Sequence, residues 1–460
     1  MIFGKFKELF FVGIGGSGMS GIAEILHNLG YKISGSDIYP SEVTEHLQKL
    51  GITVYDRHQA ANIGTANVVV ISSAVKETNP EVVEAREKGV PVIKRAEMLG
   101  ELMRLKYSIG ISGTHGKTTT TSMVGKIMAD AEFDPTVIVG GIVAGKGSGA
   151  SLGAGDYLVA EADEFDRSFL SMFPTMAVIT NIEPDHLDCY DGMDDLEQAF
   201  LTYMNRVPFY GQVLYNADDP ILLKLRNRIT RASVSFGLLP GADYQAAAIT
   251  HREGGVTFEV IRKGDRLGRI ILGVPGEHNV RNALTATAVA MELEVPFNTI
   301  AASLQEFRGV GRRFDIKKTV QNIMVVDDYA HHPTEIKATI RTARTSYNRR
   351  IIAIFQPHLF SRTQLFYREF AEALAEADIC LLTDIYPARE EPIEGVTSEM
   401  ISRYASTNGV ENIWYIGPLE NAVEQVLQVV RPGDMVITIG AGSITRINGQ
   451  IVKELEHASF

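Results

Sequence analysis

Residues 112–120 read Ser112-Gly113-Thr114-His115-Gly116-Lys117-Thr118-Thr119-Thr120 and follow the strand-forming run 107–111. A strand that breaks into glycines, then Lys-Thr, then a helix is suited to the phosphates of a nucleoside triphosphate. Gly113 and Gly116 carry no Cβ, so backbone N–H groups can come close to phosphate oxygens. Lys117 can reach the β- and γ-phosphates, and the Thr118 hydroxyl can bind magnesium. The loop departs from the common pattern, which has four residues between its glycines. Here only Thr114 and His115 intervene. A glycine turn that does no more than open a helix is the alternative.

A second glycine turn lies at Gly13-Ile14-Gly15-Gly16-Ser17-Gly18, with Asp37 at the spacing where an acid takes a ribose hydroxyl. Read alone, it suggests a nicotinamide dehydrogenase. The geometry recognises a pyrophosphate, however, and a UDP-linked sugar carries the same pyrophosphate and ribose. A ligand-free strand–helix turn is also open. Ser72 and Ser73 end another strand-like run and would face the same crevice, although ordinary turn serines account for them equally well.

Glu161 and His186 each follow an apolar run and are candidates for holding magnesium at the γ-phosphate. Carboxylate is the usual ligand for so hard a cation, and His is less usual. Asp163, Glu164, Asp166, Asp185 and Asp188 crowd the same stretches. Most of such a charge run is expected on a solvated face. Asn279 and Asn282 lie one helical turn apart and could read an adenine edge, or Asn279 could simply cap the helix. Asp327-Asp328-Tyr329-Ala330-His331-His332 and Gln356-Pro357-His358-Leu359-Phe360-Ser361-Arg362 follow two late strands and together make a polar pocket. Arg362 could grip a carboxylate bidentately. A zinc site is disfavoured, because adjacent histidines need not converge and no thiolate helps.

These residues need strands to carry them. At 460 residues the chain is too long for one core, and its length suggests about three domains. The first part alternates strand and helix signals (9–12, 18–29, 32–35, 68–72). Runs 157–160 and 176–180 join the phosphate loop in a middle part. Residues 233–273 read as an antiparallel edge or satellite sheet, and a helix is expected over 280–292. The basic, glycine-rich 307–314 is the expected junction, after which 324–326, 351–355, 379–383, 413–416 and 435–439 read as strands of a second doubly wound sheet. The expected fold is α/β in three domains: a Rossmann-like domain over 1–105, a central P-loop ATPase-like domain over 106–313, and a doubly wound domain over 314–460.

The formal net charge of −12, from 44 Lys and Arg against 56 Asp and Glu, argues against non-specific nucleic-acid or anionic-membrane binding. Two cysteines are too few for a disulfide framework. No stretch is apolar enough to span a bilayer, and the first residues lack a signal-peptide pattern. A cytoplasmic protein is the expectation.

With these pieces in order, the chain resembles the Mur ligases, ATP-dependent amide-forming enzymes of peptidoglycan synthesis. The resemblance rests on the turn at 13–18, on Gly113-Thr114-His115-Gly116-Lys117-Thr118, Glu161-Ala162-Asp163-Glu164, Asn181-Ile182-Glu183-Pro184-Asp185-His186, His278-Asn279-x-x-Asn282, and Asp328-Tyr329-Ala330-His331-His332-Pro333-Thr334-Glu335. The shortened phosphate loop is usual in that family. The resemblance implies ATP and Mg2+ as cofactors and UDP-N-acetylmuramate and L-alanine as substrates. It assigns the first glycine turn to UDP. Lys117 would bind the γ-phosphate, with Thr118 and Glu161 at one magnesium and His186 at a second. His278, Asn279 and Asn282 would surround adenine, and Asp328 its ribose. Arg313 would approach the phosphates when the domains close. Tyr329, His331, His358 and Arg362 would surround alanine, with His331 or His358 accepting the amine's proton. Several Mur ligases carry a carbamoylated lysine after the metal-binding His, but residues 196–213 contain no Lys. The resemblance is compatible with a monomer or a homodimer.

Overall fold

The computed structural model describes residues 4, 6–16, 18–72, 74–139, 150–185, 189–388 and 390–458. The chain forms two compact units. One comprises 1–248, 258–270 and 281–307; the other comprises 249–257, 271–280 and 308–460. Three sheets carry the three-domain α/β architecture.

The N-terminal sheet has five strands in the order Thr53–Tyr55, Lys32–Ser36, Glu8–Val12, Val68–Ile71, Val92–Lys94. All of its neighbours run parallel. Phe10, Phe11 and Val12 are wholly buried. Burial on both faces is why this strand reads as a continuous apolar run with no alternation. Strand order reverses on either side of Glu8–Val12, and the glycine turn at 13–18 leaves that switch point.

In the central sheet, Tyr107–Ser112 lies between Met176–Ile179 and Tyr157–Glu161, parallel to both. The residues just after these three strands therefore share one sheet edge. Of the two expectations for 233–273, the sheet edge holds and the separate satellite sheet does not, because these strands are the outermost ones of the central sheet. Ser233–Gly237 pairs parallel with Gln212–Asn216 and with Tyr244–Arg252, and Gly255–Arg262 and Asp265–Leu272 extend the same ten-stranded sheet. The glycine breaks at 254 and 264 are hairpin turns inside that ladder, both with positive φ. The helix expected from 280 begins earlier and runs Glu277–Glu292.

Small residues let the first domain's helices lie flat on the central one. A Cβ on Gly21, in the helix Met19–Asn28, would stand 2.6 Å from the Ala150 side chain. One on Gly100, in the helix Arg95–Met103, would stand 2.2 Å from the Ser171 carbonyl.

The C-terminal sheet has six strands, ordered Asp315–Val320, Ile323–Asp328, Met435–Ile439, Ile351–Phe355, Ile379–Thr383, Ile413–Gly417. The first pair is antiparallel and the rest parallel. Asp315–Val320 escaped the sequence reading because its charged, exposed edge lacks an apolar run. Helices Pro333–Ser346, Phe360–Leu374 and Glu399–Thr407 bury Ile336, Phe370 and Ile401 on one face. Ala422–Val429 and Ile447–His457 bury Val426 and Ile451 on the other. No helix among the described residues is long and apolar enough to cross a membrane.

Candidate active site

The first glycine turn is tied to its own sheet. Gly13 and Ile14 donate backbone N–H to the Ser36 carbonyl, at 2.8 and 3.0 Å. Gly15 N–H donates to Asp37 Oδ2 at 2.9 Å, and Tyr39 N–H to Asp37 Oδ1 at 3.0 Å. Asp37, expected at a ribose, thus also braces the turn beside Gly15 and Gly16. Gly18 has φ 78° and opens the helix. Arg95, which sequence reasoning missed, brings its guanidinium to 2.7 Å from where a Gly18 Cβ would stand. Its only signal was its place just after a strand. Ser72 Oγ borders Gly13 in the same way, at 3.3 Å. Ser17 and Ser73 lie outside the described residues.

The phosphate loop is more rigidly held. Gly113 has φ 128° and Gly116 φ 84°. A Cβ on Gly113 would meet Thr180 Oγ1 at 2.2 Å, and one on Gly116 would meet Asn282 Oδ1 at 2.5 Å. Thr114 N–H donates to the Asn181 carbonyl (3.0 Å), and His115 N–H to Asn181 Oδ1 (2.8 Å). The Thr180 hydroxyl donates to the His115 carbonyl at 2.6 Å. The loop is thus clamped by the strand end next to it. Lys117 begins the helix Lys117–Asp130, followed by Thr118 and Thr119.

Lys117 Nζ donates to the Gly113 and Thr114 carbonyls, at 2.7 and 3.2 Å, and to both Glu164 oxygens, at 2.8 and 3.1 Å. Glu164 is only 2 % exposed. The expectation of a solvated acidic run is therefore corrected at this residue: the strand end turns Glu164 inward, where it offsets a buried ammonium. Burial pushes the Glu164 carboxyl up to about 7, against the pull of Lys117. Burial alone would lower the Lys117 ammonium, but Glu164, Asp163 and Glu161 outweigh it and hold it above its ordinary range. Thr118 Oγ1 donates to Glu161 Oε2 at 3.0 Å. A hydroxyl and a carboxylate side by side are hard oxygen donors, the chemistry that magnesium takes. His186 lies outside the described residues.

On the helix Glu277–Glu292, Asn282 is buried against Gly116 and accepts from the Thr120 hydroxyl at 3.3 Å. Asn279 Nδ2 donates to the Pro275 carbonyl at 2.7 Å. The His278 ring borders Gly276.

In the C-terminal unit, Asp328 is 6 % exposed and spends both oxygens on backbone. Oδ1 accepts from Ala330 N–H and Oδ2 from Phe314 N–H, each at 2.8 Å. Burial pushes its carboxyl up to about 6, against Arg313 and these two bonds. Arg313 Nη1 donates to Glu335 Oε1 at 3.2 Å. The guanidiniums of Arg312 and Arg313 lie over the Tyr329 ring, 4.7 and 5.3 Å from its centroid. The Tyr329 and His331 rings meet edge to face at 5.4 Å, and His331 and His358 at 6.2 Å. Tyr386, missed in the sequence, stacks on His358 at 5.7 Å. Arg362 is buried in the first turn of the helix Phe360–Leu374. Tyr329, His331 and His358 thus form one cluster, with Arg362 one turn beyond His358 in sequence.

Three family descriptions match in chain order: the Mur ligase family catalytic domain over residues 8–107, the Mur ligase middle domain over 111–290, and the Mur ligase glutamate ligase domain over 312–442. The chain is 49% identical over 457 residues to a Geotalea daltonii protein named UDP-N-acetylmuramate–L-alanine ligase, covering 99% of this chain and 100% of that one. A Geobacter sulfurreducens protein of the same name is 47% identical, with 99% of each covered. Among solved structures, UDP-N-acetylmuramate–alanine ligase from Thermotoga maritima superposes with a TM-score of 0.83 at 31% identity, covering 98% of this chain and 100% of that one. A murein peptide ligase from Psychrobacter arcticus shares the fold, with a TM-score of 0.70 at 24% identity over 99% of this chain and 100% of that one. The phosphate loop clamped at Thr180 and Asn181 and the ordered matches from residue 8 to residue 442 agree: the chain belongs to the Mur ligase family.

Proposed function

We propose that this chain is an ATP-dependent ligase that joins L-alanine to the lactyl carboxylate of UDP-N-acetylmuramate. The observation that carries this reading is the Gly113–Thr118 loop, with Lys117 poised on buried Glu164 and Thr118 beside Glu161. The relatives of the same length that bear that activity in their names support it.

The muramate carboxylate attacks the γ-phosphorus, giving an acyl phosphate and ADP. The alanine amine then attacks the activated carbonyl, and the tetrahedral intermediate expels phosphate. Phosphate replaces hydroxide as the leaving group, and this is what ATP contributes. Lys117 neutralises the γ-phosphate while two anions approach each other. Thr118 and Glu161 would hold one magnesium ion and His186 a second, and such ions would supply further charge neutralisation. We assign Gly15, Gly16, Ser17, Gly18, Asp37, Ser72 and Ser73 to the UDP-sugar. Gly113 through Thr119, His278, Asn279, Asn282 and Asp328 go to ATP. Arg313 goes to the phosphates, and Tyr329 and Arg362 to alanine. His331 or His358 accepts the amine's proton. The domain limits proposed for these roles are 1–105, 106–313 and 314–460, in a cytoplasmic monomer or homodimer.

The test is phosphate release with ATP, UDP-N-acetylmuramate or L-alanine omitted in turn, and with a tripeptide in place of alanine. Release that needs all three, and that favours alanine over tripeptide, is expected. Turnover without alanine, or a preference for tripeptide, would overturn the assignment of the amine.

A further inference from the structure

Glu335 joins two proposed functional groups, Arg313 and His331. It lies two residues into the helix Pro333–Ser346. Its side chain is 11 % exposed. One oxygen, Oε1, accepts from Arg313 Nη1 at 3.2 Å. The other, Oε2, accepts from the His331 backbone N–H at 3.1 Å and stands 3.4 Å from His331 Nδ1. His331 Nδ1 also lies 3.0 Å from the Tyr329 carbonyl oxygen. A carbonyl oxygen can only accept, so Nδ1 carries a proton, and in the neutral ring Nε2 carries the lone pair.

We propose that Glu335 is a positioning residue that fixes His331 as the base for the alanine ammonium and links its basicity to Arg313. This inference deepens the function proposed above and rests on it. The proton passes from the ammonium nitrogen to His331 Nε2, leaving a neutral amine to attack the acyl phosphate. The imidazolium that forms directs Nδ1–H at the Tyr329 carbonyl and the Glu335 carboxylate. A carboxylate beside the far ring nitrogen both orients a catalytic histidine and stabilises its charged form.

Arg313 tempers that charge while it pairs with Glu335. When the guanidinium turns to phosphate, Glu335 keeps its charge for His331, which becomes the stronger base. Amine deprotonation therefore follows phosphate arrival. Among the described residues of the unit, Arg312, Asp328, Tyr329, His358 and, behind His358, Tyr386 also face this cluster. Tyr329 also meets both Arg313 and His331, through its ring and its carbonyl, whereas Glu335 joins them through a carboxylate.

The test uses the full-length enzyme with three readouts. Hydroxylamine trapping of acyl phosphate without alanine reports the first half-reaction; its absence in the wild type overturns both the function and this inference. Given trapping, Glu335→Gln is expected to trap acyl phosphate as the wild type does. Its acidic limb in alanine kcat/KM against pH should move to lower pH by about half to one unit. Glu335→Asp should return the limb toward the wild-type position. A uniform rate loss with an unmoved limb would show a merely structural role and overturn the proposal. Should Glu335→Gln fail to fold, NMR titration of wild-type His331 decides. Adding a non-hydrolysable ATP analogue with the UDP-sugar should raise its pKa, and an unchanged pKa overturns the link.

Discussion

At the residue scale, the central fact is an ammonium already held by anionic and carbonyl oxygens. Lys117 makes the same kind of contacts with Glu164 and two loop carbonyls that it would make with a γ-phosphate. Lys117→Ala removes that cation and leaves Glu164 buried without it. Ligation is expected to fall by at least about 100-fold, while UDP-sugar affinity, measured by calorimetry, stays within about twofold, since Gly15–Gly18 is a separate turn. Normal turnover would remove the phosphate role from Lys117. Arg362 is proposed for the other end of the reaction, at the alanine. Arg362→Ala is expected to raise the alanine KM by about tenfold or more, through loss of a charge-assisted pair to the amino-acid carboxylate. The ATP KM should not move. An unchanged alanine KM would place that carboxylate elsewhere.

At the element scale, strand ends decide which residues meet. Parallel neighbours at Tyr107–Ser112, Tyr157–Glu161 and Met176–Ile179 deliver the phosphate loop, Glu161 with Glu164, and the Thr180–Asn181 clamp to one edge. The helix Glu277–Glu292 adds Asn282 against Gly116. Gly116→Ala tests this assembly. Its φ of 84° costs an L-residue about 1–2 kcal/mol. The added Cβ, at 2.5 Å from Asn282 Oδ1, must push that side chain aside. ATP affinity by titration calorimetry is expected to weaken by about tenfold or more. An unaltered affinity would mean the loop reshapes freely. Strand existence was legible from the apolar runs, because buried parallel strands are continuous in hydrophobicity. The edge strand Asp315–Val320 was not, since an exposed charged strand has no such mark. Nor was the inward turn of Glu164, which a local charge count places with its solvated neighbours.

At the scale of the whole molecule, a buried carboxylate contributes to pH-dependent stability. Asp328 sits at about 6 against an ordinary 3.8. Its folded pKa is raised, so the folded state binds the proton more tightly. The contribution is fully present below about pH 4 and lost as pH rises through about 6. The change is of order 3 kcal/mol. Asp328→Asn removes this slope, and its amide can accept from only one of Phe314 and Ala330 through oxygen. Chemical unfolding of the variant should show a flatter pH profile between pH 4 and 7, at lower overall stability. A wild-type profile retained in the variant would assign the slope to other groups.

The order of glycines, lysine, threonine and strand-terminal acids along the chain pointed to the family and to phosphate chemistry, because freed backbone N–H groups, an ammonium and hard oxygen donors suit phosphate and a hard cation. Tertiary structure alone decided the pairings: Glu164 with Lys117, Arg95 with Gly18, and Glu335 between Arg313 and His331. Each depends on which way a side chain leaves its strand end or helix turn. Sheet order and helix packing impose that direction on residues far apart in the chain.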